Sequence, residues 1–490
     1  MKLFPIKGGI HPEYRKELTS EKPIVALPIP SVLTLPVQQH MGAAASTVVQ
    51  VGERVLKGQM LARGQGFVSA PVHAPTSGTI VAIEDRMAPH PSGLPMRTIV
   101  LESDGKDEWA ELPAPIADPF TATPQQIRAR VAESGIVGLG GATFPSAVKL
   151  GLGDKNKLEI LLLNGAECEP YLTCDDRLMR EYAAEVVDGA LIMARALGAP
   201  QVIIAVEENK PQAFEAIHNA IRTKLNVSLV AVPVQYPMGA ERHLTQAVTG
   251  RETPARKLTA DVGVVVHNVA TARAVHHAVR HGKPLLSRIV TVSGLGVVTP
   301  NNIEVPLGTP VEALLAFCGG LTGEIKRLIS GGPMMGQPIP DTRVPVVKGT
   351  SGVLALTAAE ANERPTQPCI RCGTCVSICP CGLVPVEMAA LIRNERLEEA
   401  AAIGLRDCVS CGSCSYICPS YVPLVHYFNY AKGRLNALDA ERRKTEQTKA
   451  LVAARNARLE RVAQAKREAA AAAARARAES QTTDVNKAEA

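Results

Sequence analysis

CIRCGTCVSICP (369–380) and CVSCGSCSYICP (408–419) are two copies of one pattern, C-x2-C-x2-C-x3-C-P. Three thiolates spaced two residues apart on a wrapping loop can reach three corners of a cuboidal four-iron cluster. The fourth Cys lies beyond the loop and, where two such runs occur in one chain, crosses to the other cluster. The spacing therefore predicts one 4Fe-4S cluster held by Cys369, Cys372, Cys375 and Cys418, and a second held by Cys408, Cys411, Cys414 and Cys379. Gly373 and Gly412 let the backbone approach the sulfides, and Pro380 and Pro419 turn the chain away. Paired C-x2-C can also hold zinc, but the x3-C-P ending, present twice, favours iron and sulfide. Clusters of this kind carry single electrons. Cys381 is a ninth local thiol outside the pattern and reads as a spare, while the isolated Cys168, Cys174 and Cys318 read as small apolar core residues.

Downstream of the second run, after Tyr430, the chain turns rich in Ala, Arg, Lys and Glu, all good helix formers, with no apolar stripe to bury. Residues 431–490 hold 14 Lys and Arg against 8 Asp and Glu, the whole of the net charge of +6. The remainder is close to neutral, which removes the main support for nucleic-acid binding. Upstream, the linker ERPTQP separates the cysteines from a strand-rich stretch with one helix (287–340). Before that, from about residue 121, strands of continuous apolar residues (KLEILLLN, QVIIAV, VSLVAVPV, DVGVVVHN) alternate with helices, one of them long and running through 176–197. That rhythm predicts a parallel sheet covered on both faces, with ligands at the carboxyl ends of its strands. Thr123-Pro124 opens the first helix with Pro at its first position. The first 30 residues are proline-rich and read as irregular. Residues 51–84 are short strands broken at Gly52, Gly58 and Gly78, and they resemble the half-motif of biotinyl and lipoyl carrier domains. Here the tip HAPTSGT lacks the carrier lysine, so a structural barrel is expected.

The loop GIVGLGGATFPSAVKL (135–150) carries Gly138, Gly140 and Gly141, whose backbone N–H groups can approach a phosphate, and Lys149 can add charge. NGAECEP (164–170) and YPMGAE (236–241) follow later strands, where a doubly wound sheet binds nucleotides. His277 and His281 share a helix face after Asn268 but have no third ligand, and a solvated face is expected there.

Taken together these segments resemble the flavin-binding subunit of respiratory complex I and related NADH-oxidising subunits. The resemblance implies that Gly138, Gly140, Gly141 and Lys149 contact FMN and that Phe144 stacks on the nicotinamide. Asn164, Glu167 and Glu169 would line the flavin pocket, Glu241 would face NADH, and Asn268 would serve the flavin phosphate. Leu139, Ala166 and Ala240 stand where that family has Arg, Asp and Glu. The order of parts is similar to the C subunit of ion-translocating Rnf electron transport complexes. It implies a multidomain α/β plus α+β chain: a β-barrel-sandwich (1–120), a Rossmann-like FMN/NADH domain (121–285), a β-grasp SLBB domain (286–355), a two-cluster ferredoxin domain (356–430) and a flexible helical tail (431–490).

The implied function is electron transfer between NADH/NAD+ and ferredoxin or flavodoxin, through FMN and two 4Fe-4S clusters, coupled to ion translocation by partner subunits in a membrane complex. A soluble NADH diaphorase subunit and a non-catalytic iron-sulfur adaptor are the alternatives. No apolar run approaches the roughly 20 residues that span a bilayer, so a peripheral place on the cytoplasmic face of the inner membrane is expected.

Overall fold

The computed structural model describes residues 3–90, 92–361 and 363–488. The barrel expected at the N-terminus is a sandwich of two antiparallel sheets. One orders Val32–Pro36, Pro95–Ser103, Gly78–Met87 and Arg54–Val55, and the other Ser46–Thr47, Met60–Arg63 and Val72–His73. Leu33, Leu35, Leu61, Val72, Ile80 and Leu101 point inward and are fully buried.

The α/β domain has a four-stranded parallel sheet in the order Val227–Val232, Gln201–Glu207, Ile160–Gly165, Val264–Asn268. Its central strands are buried on both faces, which is why they read as unbroken apolar runs. Thr123 caps the helix Pro124–Glu133 in a reciprocal capping box with Gln126, as the Thr-Pro start requires. The single long helix expected through 176–197 is instead two, Cys174–Glu181 and Ala183–Leu197. Tyr182 breaks the run with non-helical backbone angles (φ −129°, ψ 32°), and its ring packs under the guanidinium of Arg273, 3.9 Å from the ring centroid. Tertiary packing there overrides propensity.

The β-grasp sheet is larger than its expected segment. Its order is Ile24–Ala26, Asn301–Pro306, Ser287–Ser293, Gly352–Thr357, Ile325–Ser330, Gln337–Pro338, with the helix Val311–Phe317 against it. Two boundaries change. The strand Gly352–Thr357 crosses the expected edge at 355, and residues 24–26, expected to be irregular, pair in parallel with Asn302–Glu304 and extend the sheet at its edge. The tail also begins earlier than expected. One helix runs from Leu424 to Ala488, roughly 100 Å at 1.5 Å per residue. Its first turns bury Leu424, Phe428, Ala431 and Leu435 against Met388, Ile392, Leu397 and Leu405. From Ala440 through Ala478 every residue is exposed. Among the described residues no helix is long and apolar enough to cross a membrane.

Of the two histidines expected on a solvated face, His281 is exposed, but His277 is not, and neither is its neighbour His276. His276 Nδ1 meets Asp188 at 2.6 Å and His277 Nε2 meets Glu185 at 3.0 Å, both carboxylates on the Ala183–Leu197 helix. That helix crosses Val269–His281 so closely that a Cβ at Gly189 would lie 1.9 Å from the Ala272 carbonyl oxygen. Gly189→Ala would gain about 1 kcal/mol of helix propensity, but overpacking against a backbone atom costs about 1–3 kcal/mol. The variant should therefore lower the thermal midpoint, and an unchanged or higher midpoint would show that the two helices can separate freely.

Candidate functional site

The site gathers at the carboxyl ends of the neighbouring strands Ile160–Gly165 and Val264–Asn268. Asn268 is the N-cap of the helix Val269–His281, its Oδ1 accepting from Ala270 N at 2.8 Å. Its Nδ2 donates to Asp175 Oδ2 at 2.6 Å. Both ends of the amide are thus engaged within the protein. The glycine loop presses against this helix start: a Cβ at Gly140 would lie 2.8 Å from the Asn268 side chain, so only glycine fits there. Leu139 N donates to Thr271 Oγ1 (2.9 Å), Leu139 O accepts from Arg288 (3.0 Å), and Gly138 N donates to Phe144 O (2.8 Å). Thr143 holds left-handed backbone (φ 49°) at the turn. The loop is therefore pinned from both sides, with Gly141 facing open space and Phe144 half-buried.

The acidic turn is held equally firmly. Asn164 Nδ2 donates to Gly239 O at 2.8 Å and its Oδ1 accepts from Ala166 N at 3.0 Å. Glu167, at φ 50°, caps the helix Cys174–Glu181 by accepting from the N–H groups of Asp175 (2.7 Å) and Asp176 (3.1 Å). Glu169 turns towards the β-grasp domain, where its carboxylate accepts from Met334 N (3.0 Å) and Met335 N (2.9 Å). Burial pushes its pKa up to about 7. Lys149 and Glu241 pair at 3.3 Å, and Thr259 Oγ1 donates to Glu241 at 2.7 Å.

Three participants carry no motif. Lys16 Nζ donates to the carbonyls of Glu167 (2.8 Å), Glu169 (2.9 Å) and Leu172 (2.5 Å). Asp175, with Cys174, lies so close to Glu167 that their ligand atoms fall within 4.8 Å of one another. Burial, then the charge of Glu167, pushes Asp175 up to about 7, and burial raises the Cys174 thiol. An acidic pair opening a helix is visible in the sequence, but nothing there marks which carboxylate meets Asn268.

The residues fit a flavin phosphate. A 13-residue helix presents its N-terminus beside a glycine loop with no Cβ in the way at Gly141, and Lys149 supplies a cation nearby.

The two cysteine loops repeat each other in backbone detail. Arg371 and Ser410 are left-handed (φ 56° and 55°), as are Gly373 and Gly412 (φ 79° and 80°), and one-turn helices follow at Thr374–Ser377 and Ser413–Tyr416. Arg371 N approaches Cys369 Sγ and Ser410 N approaches Cys408 Sγ, each at 3.4 Å. Burial raises the Cys375 thiol, and the neighbouring thiols that add to this are Cys372, Cys369 and Cys418. For Cys414, burial acts together with Cys411, Cys408 and Cys379. The thiols acting on Cys375 and on Cys414 thus make up two foursomes, each including the fourth Cys of the other run. Cys381 lies beside the second foursome, its thiol pushed up to about 11 by burial and then Cys379.

The foursomes differ in position. Cys369 and Cys372 are exposed, whereas Cys411 is 7% exposed and shares a core with Tyr236, Met238 and Cys168 of the α/β domain. Tyr236 Oη donates to Cys411 O at 2.6 Å, and His243 Nε2 lies 2.9 Å from Pro380 O.

Known proteins share this arrangement part by part. A barrel sandwich hybrid domain of the RnfC type matches residues 4–106, the Nuo51 FMN-binding domain 131–277, an SLBB domain 289–338 and a 4Fe-4S dicluster domain 368–422. The chain is thus an FMN-binding, iron-sulfur electron-transport oxidoreductase subunit. The C subunit of the ion-translocating oxidoreductase complex of Rhodobacter capsulatus is 57% identical over 437 residues, covering 89% of this chain and 84% of the relative. The Pseudomonas aeruginosa protein of the same name is 44% identical over 460 residues, covering 94% of this chain and 59% of the relative. A solved NAD+-reducing [NiFe]-hydrogenase in its H2-reduced state aligns at 20% identity and a TM-score of 0.44, over 66% of this chain and 63% of that one. The chain belongs to the RnfC family, the C subunits of ion-translocating oxidoreductase complexes.

Asp175 offers a pH test. A carboxyl raised from 3.8 to about 7 on folding stabilises the fold fully below pH 3.8 and loses that contribution as pH rises through 7. Asp175→Asn keeps an acceptor for Asn268 and has no charge to bury. Its thermal midpoint relative to the parent should rise between pH 5 and pH 8; a pH-independent difference would mean that Asp175 is ionised throughout.

Proposed function

We propose that the chain is the NADH-oxidising entry, or NAD+-reducing exit, of a membrane-bound complex that moves ions, with ferredoxin or flavodoxin at the other end of the electron path. The observation that carries this reading is the contact of the Cys411 loop with the carboxyl end of the sheet through Tyr236, which sets one thiol foursome against the flavin domain. When bound, FMN exchanges a hydride equivalent with NADH and single electrons with the clusters.

The protein's part is position and charge. The glycine loop (Gly138, Gly140, Gly141) and the start of the Val269–His281 helix would hold the phosphate, with Lys149 beside them. Asn268 acts there as the helix cap, since both ends of its amide are already bonded. Asn164 fixes the strand end against Gly239, and Glu167 fixes the turn that borders the ring. Glu169 supports the pocket by tying it to the β-grasp loop. Phe144 is the platform for the nicotinamide, and Glu241 orients Lys149 and faces NADH.

The four ligands Cys379, Cys408, Cys411 and Cys414 would take the cluster next to the flavin. Cys369, Cys372, Cys375 and Cys418 would take the outer one, whose exposed thiols suit exchange with a partner. The partners are other subunits of the complex, and the place is the cytoplasmic face of the inner membrane.

Anaerobically purified protein supplemented with FMN should reduce a dye with NADH. Absence of both flavin binding and activity would sink this reading in favour of an adaptor. Lys149→Ala should weaken FMN binding, read by flavin fluorescence, by roughly tenfold or more, the value of one charge-assisted contact. Phe144→Ala should raise the KM for NADH while leaving FMN affinity unchanged, and equal losses in both would place Phe144 at the flavin instead.

A further inference from the structure

A cavity of about 260 Å³ opens where three domains meet, bordered on one side by the glycine loop and the start of the Val269–His281 helix. Its walls come from the barrel (Trp109), the Val269–His281 helix (Ala274) and the strand Ser287–Ser293 with the residues before it (Lys283, Leu286, Arg288). Leu139 of the glycine loop and Ala270 of the helix start reach it, but no side chain named above for FMN or NADH lines it.

Most of the charges around it are paired. Lys57 is paired with Asp107 at 2.6 Å, and Arg273 with Glu185 at 2.8 Å. His277 also contacts Glu185, and the lining carboxylate, Glu304, accepts from Ser287 Oγ at 2.8 Å and lies 4.0 Å from Arg273. Lys283 and Arg288 have no carboxylate within ion-pair distance among the described residues. Arg288 is only 4% exposed, and its hydrogen bonds go to two carbonyls, Leu139 O and Thr350 O. Asp175 and Cys174 act on it through space without a hydrogen bond, and a buried guanidinium bonded only to neutral acceptors gains from an anion that completes its shell. The wall is otherwise apolar, and the indole of Trp109 has Lys57 and Lys283 over it at 4.9 and 5.6 Å from its centroid. Pockets that bury small ligands run from about 300 Å³ upward, lined by apolar and aromatic groups with a few placed polar ones. This cavity, at about 260 Å³, lies just below that range.

We propose that the cavity is a binding site for a small aromatic monocarboxylate, its ring on the apolar wall beside Trp109 and its carboxylate drawn to Lys283 and Arg288. Two cations without carboxylate partners next to a flat, apolar space suit one negative charge on a flat body. A neutral ring leaves both cations as they are, and a nucleotide is too large.

Trp109 is the only tryptophan in the chain, so its emission reports on this site. Benzoate titrated into the full-length protein should change that emission saturably, with a midpoint below about 1 mM, and calorimetry should give the same midpoint. Benzamide, of the same shape without the charge, should give no saturable response. Lys283→Ala should weaken benzoate at least tenfold. Ala274→Leu, which fills the space from the helix wall, should abolish binding while FMN binding persists. Arg288→Met is the poorer variant because Arg288 also holds Leu139. An unsaturable response, equal binding of benzamide, or benzoate binding that survives either substitution would overturn the proposal.

Discussion

The hydrogen bond from the Tyr236 hydroxyl to the carbonyl of Cys411, 2.6 Å long and buried, is the joint on which the arrangement turns. Tyr236 ends the excursion that follows the strand Val227–Val232, and Cys411 is the most buried thiol of the two foursomes. A polar bond in so apolar a core has a defined geometry and a high penalty for being broken, so it fixes register as well as distance. Around it the N-terminal segment acts as a strap. Ile10 pairs with Tyr236, Gly9 N donates to Ile378 O, and a Cβ at Gly8 would strike the Cys379 backbone. The same segment then supplies Lys16 to the acidic turn and a strand to the β-grasp sheet. Residues 8–26 thus bind three units together instead of belonging to one.

Electrostatics explains why the site is built from turns that are already satisfied. Glu167, Glu169 and Asn268 each spend their polar atoms on backbone N–H groups or on Asp175. What remains for a phosphate is the set of groups that such caps leave free, the helix start and the glycine loop. Backbone dipoles fixed by packing cost no reorganisation when an anion arrives. The loop has Leu139 where the complex I flavin family has arginine, and the buried cation next to it is Arg288, bonded to Leu139 O from behind.

What the sequence made legible follows from how locally each feature is encoded. The cysteine runs specify ligand type, number and spacing within twelve residues, so two 4Fe-4S clusters are readable without any partner distant in sequence. The parallel strands announce themselves by burial on both faces. The strand at 24–26, the reach of Lys16 over about 150 residues, the break at Tyr182 and the direction of Glu169 are all settled by partners distant in sequence, and no local pattern records them. The histidines at 276, 277 and 281 show the same thing in reverse. The spacing of His277 and His281 suggested an open face, which holds for His281, while the carboxylates that meet His276 and His277 sit on another helix.

The central claim is that electrons cross from a flavin site to two clusters on this one chain. The direct measurement is electron paramagnetic resonance of the anaerobic, FMN-supplemented protein after NADH is added, with iron and acid-labile sulfide counted on the same sample. Signals of two reduced 4Fe-4S clusters, with iron and sulfide to match, are the expected result. Zinc in place of iron, a single cluster, or two clusters that NADH leaves oxidised would contradict it.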